Sequence, residues 1–138
     1  MKLSVSEILK KASEIPNQDA RVDWLRRYDS QALRYVLAGA LDPKIKWLLP
    51  EGEPPYKPND IVDQQHRLFT EARKFYLFIE GGNPNLKSLR REALFIELLE
   101  SLDPADAKLL LAIKDKRMPY PGITTEVANL AFPGLINA

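Results

Sequence analysis

Cysteine is missing altogether from this 138-residue chain. That excludes a disulfide framework, thiolate catalysis and every cysteine-ligated metal site. Histidine occurs once, as His66, too few for the clustered imidazoles that hold zinc or relay protons. No apolar run approaches the roughly 20 residues that span a bilayer. The start, MKLSVSEILKKASEI, carries charge throughout and lacks the apolar centre of a signal peptide. These absences predict a cytoplasmic chain with no membrane association. Charge of one sign is also lacking: 20 Lys and Arg stand against 19 Asp and Glu, for a net charge of +1. A chain-wide basic field is therefore excluded, and any basic face has to be local. There is no phosphate-binding GxxxxGK[ST], no GxGxxG and no internal repeat. His66 with Asp63 before it is the one Asp–His pair at helical spacing, and no nucleophile marks its surroundings. The chain is not expected to be an enzyme, and neither a metal nor a cofactor is expected.

What is present is helical. Leu, Ile, Val and Ala are plentiful and charged residues make up 28% of the chain, the balance of a globular protein. Its length fits one domain with a real core. Ser4 and Glu7 have capping-box spacing, and Leu3, Ile8, Leu9, Ala12 and Ile15 then recur at helical intervals. Pro16 and Asn17 end that helix. A second is predicted over Gln18–Tyr28. A third starts at Asp29 or Ser30, with Leu33, Val36, Leu37 and Ala40 on one face. Gly39 either admits a close neighbour or marks the helix end.

Residues 42–60 contain Pro43, Pro50, Pro54, Pro55 and Pro58, which exclude a long helix. Ile45 to Leu49, with Trp47, is predicted to dock as a short turn. The run GEPPYKPND reads as an extended crossover between helical layers. Its other reading is a docking ligand, presented by Pro54, Pro55, Tyr56, Lys57 and Pro58 to an aromatic groove in a partner. Asp60 to Ile79 is expected to be the longest helix, with Leu68, Phe69, Ala72, Phe75, Tyr76 and Ile79 inward and Gly81-Gly82 as its stop. Asn85 is expected to cap Leu86–Ser101, with Leu89, Ala93, Leu94, Ile96 and Leu98 inward. Asp103 caps the next helix with Pro104 at its first position.

The C-terminal run AIKDKRMPYPGITTEVANLAFPGLI combines a helix end, a basic Pro-Gly turn and a further short helix. Lys114, Lys116 and Arg117 are clustered; Pro119 and Pro121 forbid a continuing helix. Gly122 permits a tight turn, and Thr124 or Thr125 caps the next helix. Free N–H groups at that start, with the cations beside them, would suit phosphate oxygens. The plainer reading is a helix corner whose cations are solvated. Tyr120 is expected to be exposed between its prolines. Arg90 and Arg91 are weaker phosphate candidates, since they can equally form surface ion pairs.

The stretch PGITTEVANLAFPGLI resembles the end of the N-terminal DNA-binding domain of ATP-dependent DNA ligases of the T-even phage type. The matching residues are Gly122, Thr124, Ala128, Asn129, Phe132, Pro133, Gly134, Leu135 and Ile136. A looser likeness runs back through LRRYDSQALRYVLAGAL to the ILKKASEI helix. The loop KDKRMPYPG is longer than its ligase counterpart, and no Lys-x-Asp-Gly nucleophile motif occurs. The resemblance thus implies a phage protein of DNA replication or repair, a free-standing DNA-binding domain without adenylation chemistry.

Both lines of reasoning lead to an all-α fold of six to seven helices with a Pro-rich crossover. The function expected first is sequence-independent binding of double-stranded DNA through Lys114, Lys116, Arg117, Tyr120, Gly122, Thr124 and Thr125, with Arg90 and Arg91 in support. The alternative is a protein-binding adaptor or inhibitor. The resemblance makes a sliding clamp a natural partner for it, and a polymerase or a host protein are others.

Overall fold

The computed structural model describes residues 3–61 and 64–136. Among them are seven α-helices and no strand: α1 Val5–Glu14, α2 Gln18–Arg27, α3 Gln31–Leu41, α4 Arg67–Glu71, α5 Ser88–Ser101, α6 Pro104–Lys114 and α7 Thr125–Ala131. A 3-10 segment, Ala72–Phe78, continues directly from α4. No helix among the described residues is long and apolar enough to cross a membrane.

Most helix starts follow from side chains that accept the otherwise unpaired first N–H groups. Ser4 Oγ accepts from Glu7 N and the Glu7 carboxylate accepts from Ser4 N, closing the capping box. Asn17 caps α2, Ser30 caps α3, and Asp103 caps α6 with Pro104 behind it. Each such cap is worth about 1 kcal/mol. The core runs through every helix. Ile8, Leu9, Leu25, Leu33, Leu37, Leu68, Phe78, Phe95, Leu99, Leu109 and Leu110 are fully enclosed. The chain folds in two connected halves: α1, α2 and α7 pack together, while α3 lies on α4, the 3-10 segment and α6.

The expected long helix over 60–79 does not form. Among its described residues the α-helix is confined to Arg67–Glu71, and the next seven residues wind as a 3-10 helix. Residues three apart eclipse in that geometry, which sends Ala72, Phe75 and Phe78 into the core together and leaves Tyr76 53% exposed. The segment then straightens to pair with the proline-rich crossover. Leu48 N donates to Phe78 O at 2.7 Å, and Glu80 N to Lys46 O at 2.9 Å, around an antiparallel bridge between Trp47 and Ile79. Trp47 is therefore extended rather than in the expected short turn. Its indole N–H donates to Gly39 O at 3.0 Å. A Cβ on Gly39 would lie 2.8 Å from Trp47 Cζ2, so the glycine serves close approach, with α3 continuing to Leu41.

The fifth helix also starts later than expected, at Ser88. Lys87 occupies the cap position without a side-chain bond, so Asn85 is not the cap. The helix's inward face runs through Arg91, Phe95, Leu98 and Leu99 rather than the expected one, which leaves Leu89 85% exposed and Ala93 exposed as well.

Candidate nucleic-acid interface

Helix α6 runs out at Lys114 into a tight reversal. Lys116 N donates to Ile113 O and Arg117 N to Ala112 O, both at 2.9 Å. These are the paired bonds of a Schellman ending, whose left-handed residue is usually glycine. Here that residue is Lys116, at φ +61°, a conformation that costs a side-chain-bearing residue about 1 kcal/mol. The lysine gains an inward role in return. Its Nζ donates to Gly39 O, Asp42 O and Ile45 O at 2.6, 2.7 and 3.1 Å. One ammonium thus gathers carbonyls at the end of α3 and the start of the crossover. Burial pushes this ammonium below the ordinary lysine range, and the Asp42 carboxylate opposes that shift.

Lys114 is committed in the same way. Its side chain is 2% exposed and pairs with Asp115 Oδ1 at 2.8 Å, while donating to Pro50 O at 2.9 Å. Asp115 Oδ2 accepts from Gly52 N at 3.2 Å. The pair therefore anchors the crossover to α6. Arg91 is buried, with its guanidinium on Leu77 O and Leu86 O at 3.0 and 2.8 Å. Three of the five cations expected at a DNA surface thus have their donors on backbone carbonyls. Arg117 is free of such bonds: its side chain is 71% exposed, with Asp115 Oδ2 3.6 Å away. Arg90 is exposed on α5.

The turn beyond Arg117 lies over the α1–α2 corner and is held there by Ser13 and Arg21, two residues that carry no expectation from sequence. Ser13 Oγ donates to Pro121 O at 2.6 Å, and Arg21 Nη1 to Gly122 O at 3.1 Å. Arg21 also closes the end of α1 through Ala12 O, Ser13 O and Ile15 O. Gly122 sits at φ +84°, and a Cβ there would come within 2.3 Å of Arg21 Nη1. No local sequence signal marks Arg21, because its acceptors belong to a neighbouring helix and to a turn a hundred residues away.

Thr124, not Thr125, caps α7, accepting from Val127 N at 3.2 Å. The N–H groups of Gly122, Thr124 and Thr125 meet no acceptor among the described residues. Tyr120 is half-buried rather than exposed. Burial pushes its hydroxyl up from the ordinary tyrosine range; Ser6 is a hydrogen-bonding neighbour that opposes the shift, and the nearby Asp106 charge adds to it. Asp106 itself is fully enclosed. Its Oδ1 accepts from Ser6 N at 3.0 Å and Ser6 Oγ at 2.7 Å, while its Oδ2 has no partner.

The remaining motif residues form a clasp. Ala128 and Phe132 are buried, and Gly134 turns the chain at φ +80°. Asn129 then accepts from Ile136 N at 2.9 Å and donates to Ile136 O at 3.1 Å. Arg26 caps α7 through Leu130 O and Ala131 O.

The proline-rich run is a strap. Lys57 N donates to Glu100 Oε2 at 2.8 Å, and Asn59 Nδ2 to Ser101 O at 3.2 Å. Pro54 and Tyr56 turn inward, and Pro55, Lys57 and Pro58 face solvent. Of the Asp63–His66 pair, Asp63 lies outside the described residues; His66 is exposed at the start of α4. Among the described residues no three His, Asp or Glu side chains converge as a metal site.

A sequence model for a family of unknown function, DUF6433, matches residues 8–119. The chain belongs to that family. The DUF6433 match runs from within α1 through α6 and the reversal that carries Lys116 and Arg117, and stops short of the Gly122 turn and α7. No curated protein and no solved structure matches the chain.

Proposed function

We propose that this protein binds double-stranded DNA without sequence preference and without catalysis, through the turn 117–125. The observation that carries the reading is the nearness in sequence of the exposed Arg117, held only by a 3.6 Å ion pair to Asp115, to the open N–H groups of Gly122, Thr124 and Thr125 on one firmly held turn. The likeness of Pro121–Ile136 to the end of a ligase DNA-binding domain supports it. Arg117 would supply the charge and the N–H groups would orient on phosphate oxygens; phosphate contacts of this kind position a protein without reading bases. Arg90 is a second candidate cation. Tyr120, half-buried, would keep the turn in place rather than stack on a base.

With Lys114, Lys116 and Arg91 engaged internally, the number of neutralised phosphates is small. The salt dependence follows at about 0.9 per phosphate, so log K should fall with log salt at a slope of about −1 to −2. Fluorescence anisotropy with a labelled nicked duplex, titrated at low and moderate salt, measures this. Arg117→Ala should flatten the slope by about one, and Lys116→Ala should leave it unchanged. Absence of binding at low salt, or an Arg117→Ala slope equal to that of the parent protein, would overturn the reading.

A further inference from the structure

The strap and α5 enclose a groove of about 410 Å³. Leu49, Pro54, Phe95 and Ile96 give it apolar walls, and Glu51, Glu53 and Glu92 stand around it. Lys114 is the cation among the lining residues, and its ammonium is already taken by Asp115 and by Pro50 O. None of the three glutamates has an ion-pair partner among the described residues. The groove therefore offers an apolar interior under an uncompensated negative rim. Its volume is that of a small-ligand cleft, about 300–1,000 Å³, room for one or two large side chains rather than a helix. Glu53 borders it outside any regular element, with N–H and C=O groups bonded to nothing else among the described residues. An extended chain lying along the strap would find backbone partners there.

We infer that this groove is a docking site for an extended peptide segment of a partner protein, one that places a large apolar side chain between lysines or arginines. The apolar residue enters between Pro54 and Ile96, and the flanking cations meet Glu51, Glu53 and Glu92. This gives the proline-rich run a role opposite to that of a ligand: it is one wall of a receptor. The inference is independent of the DNA reading, because the acidic rim repels phosphates and shares no residue with the turn 117–125.

The test uses the full chain against an immobilised hexapeptide array with Leu, Phe or Trp at the centre, flanked by Lys/Arg, by Ser or by Glu. Each rim-exposed pair is worth a small factor, so Lys/Arg-flanked peptides should be retained about fivefold or more over Ser-flanked ones. The surface variant Glu51→Gln/Glu53→Gln/Glu92→Gln should lose about tenfold on the Lys/Arg set while keeping its helical circular dichroism. Amide shifts of the labelled protein with the best Lys/Arg-flanked peptide should fall on residues 49–55 and 92–96. Retention indifferent to the flanking charge, binding that survives the triple substitution, shifts centred elsewhere, or no retention of any peptide would each overturn the proposal.

Discussion

Asp106 gives the sharpest physical prediction. Its carboxyl is enclosed where α1, α6 and the Tyr120 turn meet. Ser6 satisfies Oδ1 twice, and Oδ2 is left without a donor. The charged groups that bear on it are the acids Asp103, at the cap of α6, and Glu7 on α1; Tyr120 faces it from the turn. Burial pushes its pKa up from 3.8 to about 6, against the pull of the Ser6 hydrogen bonds. A carboxyl whose folded pKa is raised favours the fold when protonated. Its stabilising effect is complete below pH 3.8 and is lost as pH rises through about 6. Roughly two pKa units correspond to about 3 kcal/mol, of which about 2 kcal/mol falls between about pH 4.5 and about pH 7.5. Asp106→Asn keeps an acceptor for Ser6 and cannot ionise. Its buried amide N–H groups carry a desolvation cost, but that cost does not vary with pH. Urea denaturation of both proteins at four pH values across this window isolates the effect. The stability difference between variant and parent should move by about 2 kcal/mol in favour of the variant on going from acid to neutral. Other carboxyls cancel, because they are present in both. Curves that stay parallel throughout would refute the reasoning.

Lys116→Ala should cost about 2 kcal/mol in urea denaturation, because the carbonyls of Gly39, Asp42 and Ile45 lose a charged donor. Lys116→Gly loses the same donor but relieves the left-handed backbone at φ +61°. It should therefore be about 1 kcal/mol more stable than Lys116→Ala; equal stability of the two would remove the strain from the account. Gly122→Ala places a Cβ 2.3 Å from Arg21 Nη1 at φ +84°. It should lower the melting temperature by several degrees and increase hydrogen exchange at the end of α1, whose carbonyls Arg21 also holds.

The sequence showed helices most clearly where a capping side chain lies within a few residues of the N–H it accepts. Ser4 with Glu7, Ser30, and Asp103 with Pro104 are local signals, and the structure uses each of them. Asn17 is such a signal too, but it reads as the end of one helix when it is the start of the next. The 60–79 stretch misled because its apolar residues fit a period of 3.6 nearly as well as one of 3. What selects the tighter winding is the distant pairing of Phe78 and Glu80 with Lys46 and Leu48. Leu89 reads as inward for a related reason: the apolar residues of α5 fit two adjacent faces, and packing on the 3-10 segment and α6 selects the one through Phe95, Leu98 and Leu99.

The cations were the least legible part, and the cause is chemical. A backbone carbonyl at a helix end and a phosphate oxygen make the same demand, an acceptor seeking a charged N–H donor. Arg21, Arg26, Arg91, Lys114 and Lys116 all answer the first. Whether a basic residue serves a carbonyl or a phosphate depends on whether an orphan carbonyl lies within reach, which is set by tertiary contacts across up to about a hundred residues. The run Pro121–Ile136 divides along the same line. Ala128, Asn129, Phe132 and Gly134 shape and close the tail, so they serve architecture, and the proposed contact with a duplex rests on groups the fold leaves open. Two such places remain on opposite electrostatic terms: the turn with Arg117 and its open N–H groups, and the groove ringed by Glu51, Glu53 and Glu92. Arg21, Arg26, Arg34, Arg67, Lys74, Arg91, Lys114 and Lys116 are occupied by carbonyls or by acids, so a near-neutral total does not say where open charge of either sign lies. That is why net charge alone was a poor guide to either.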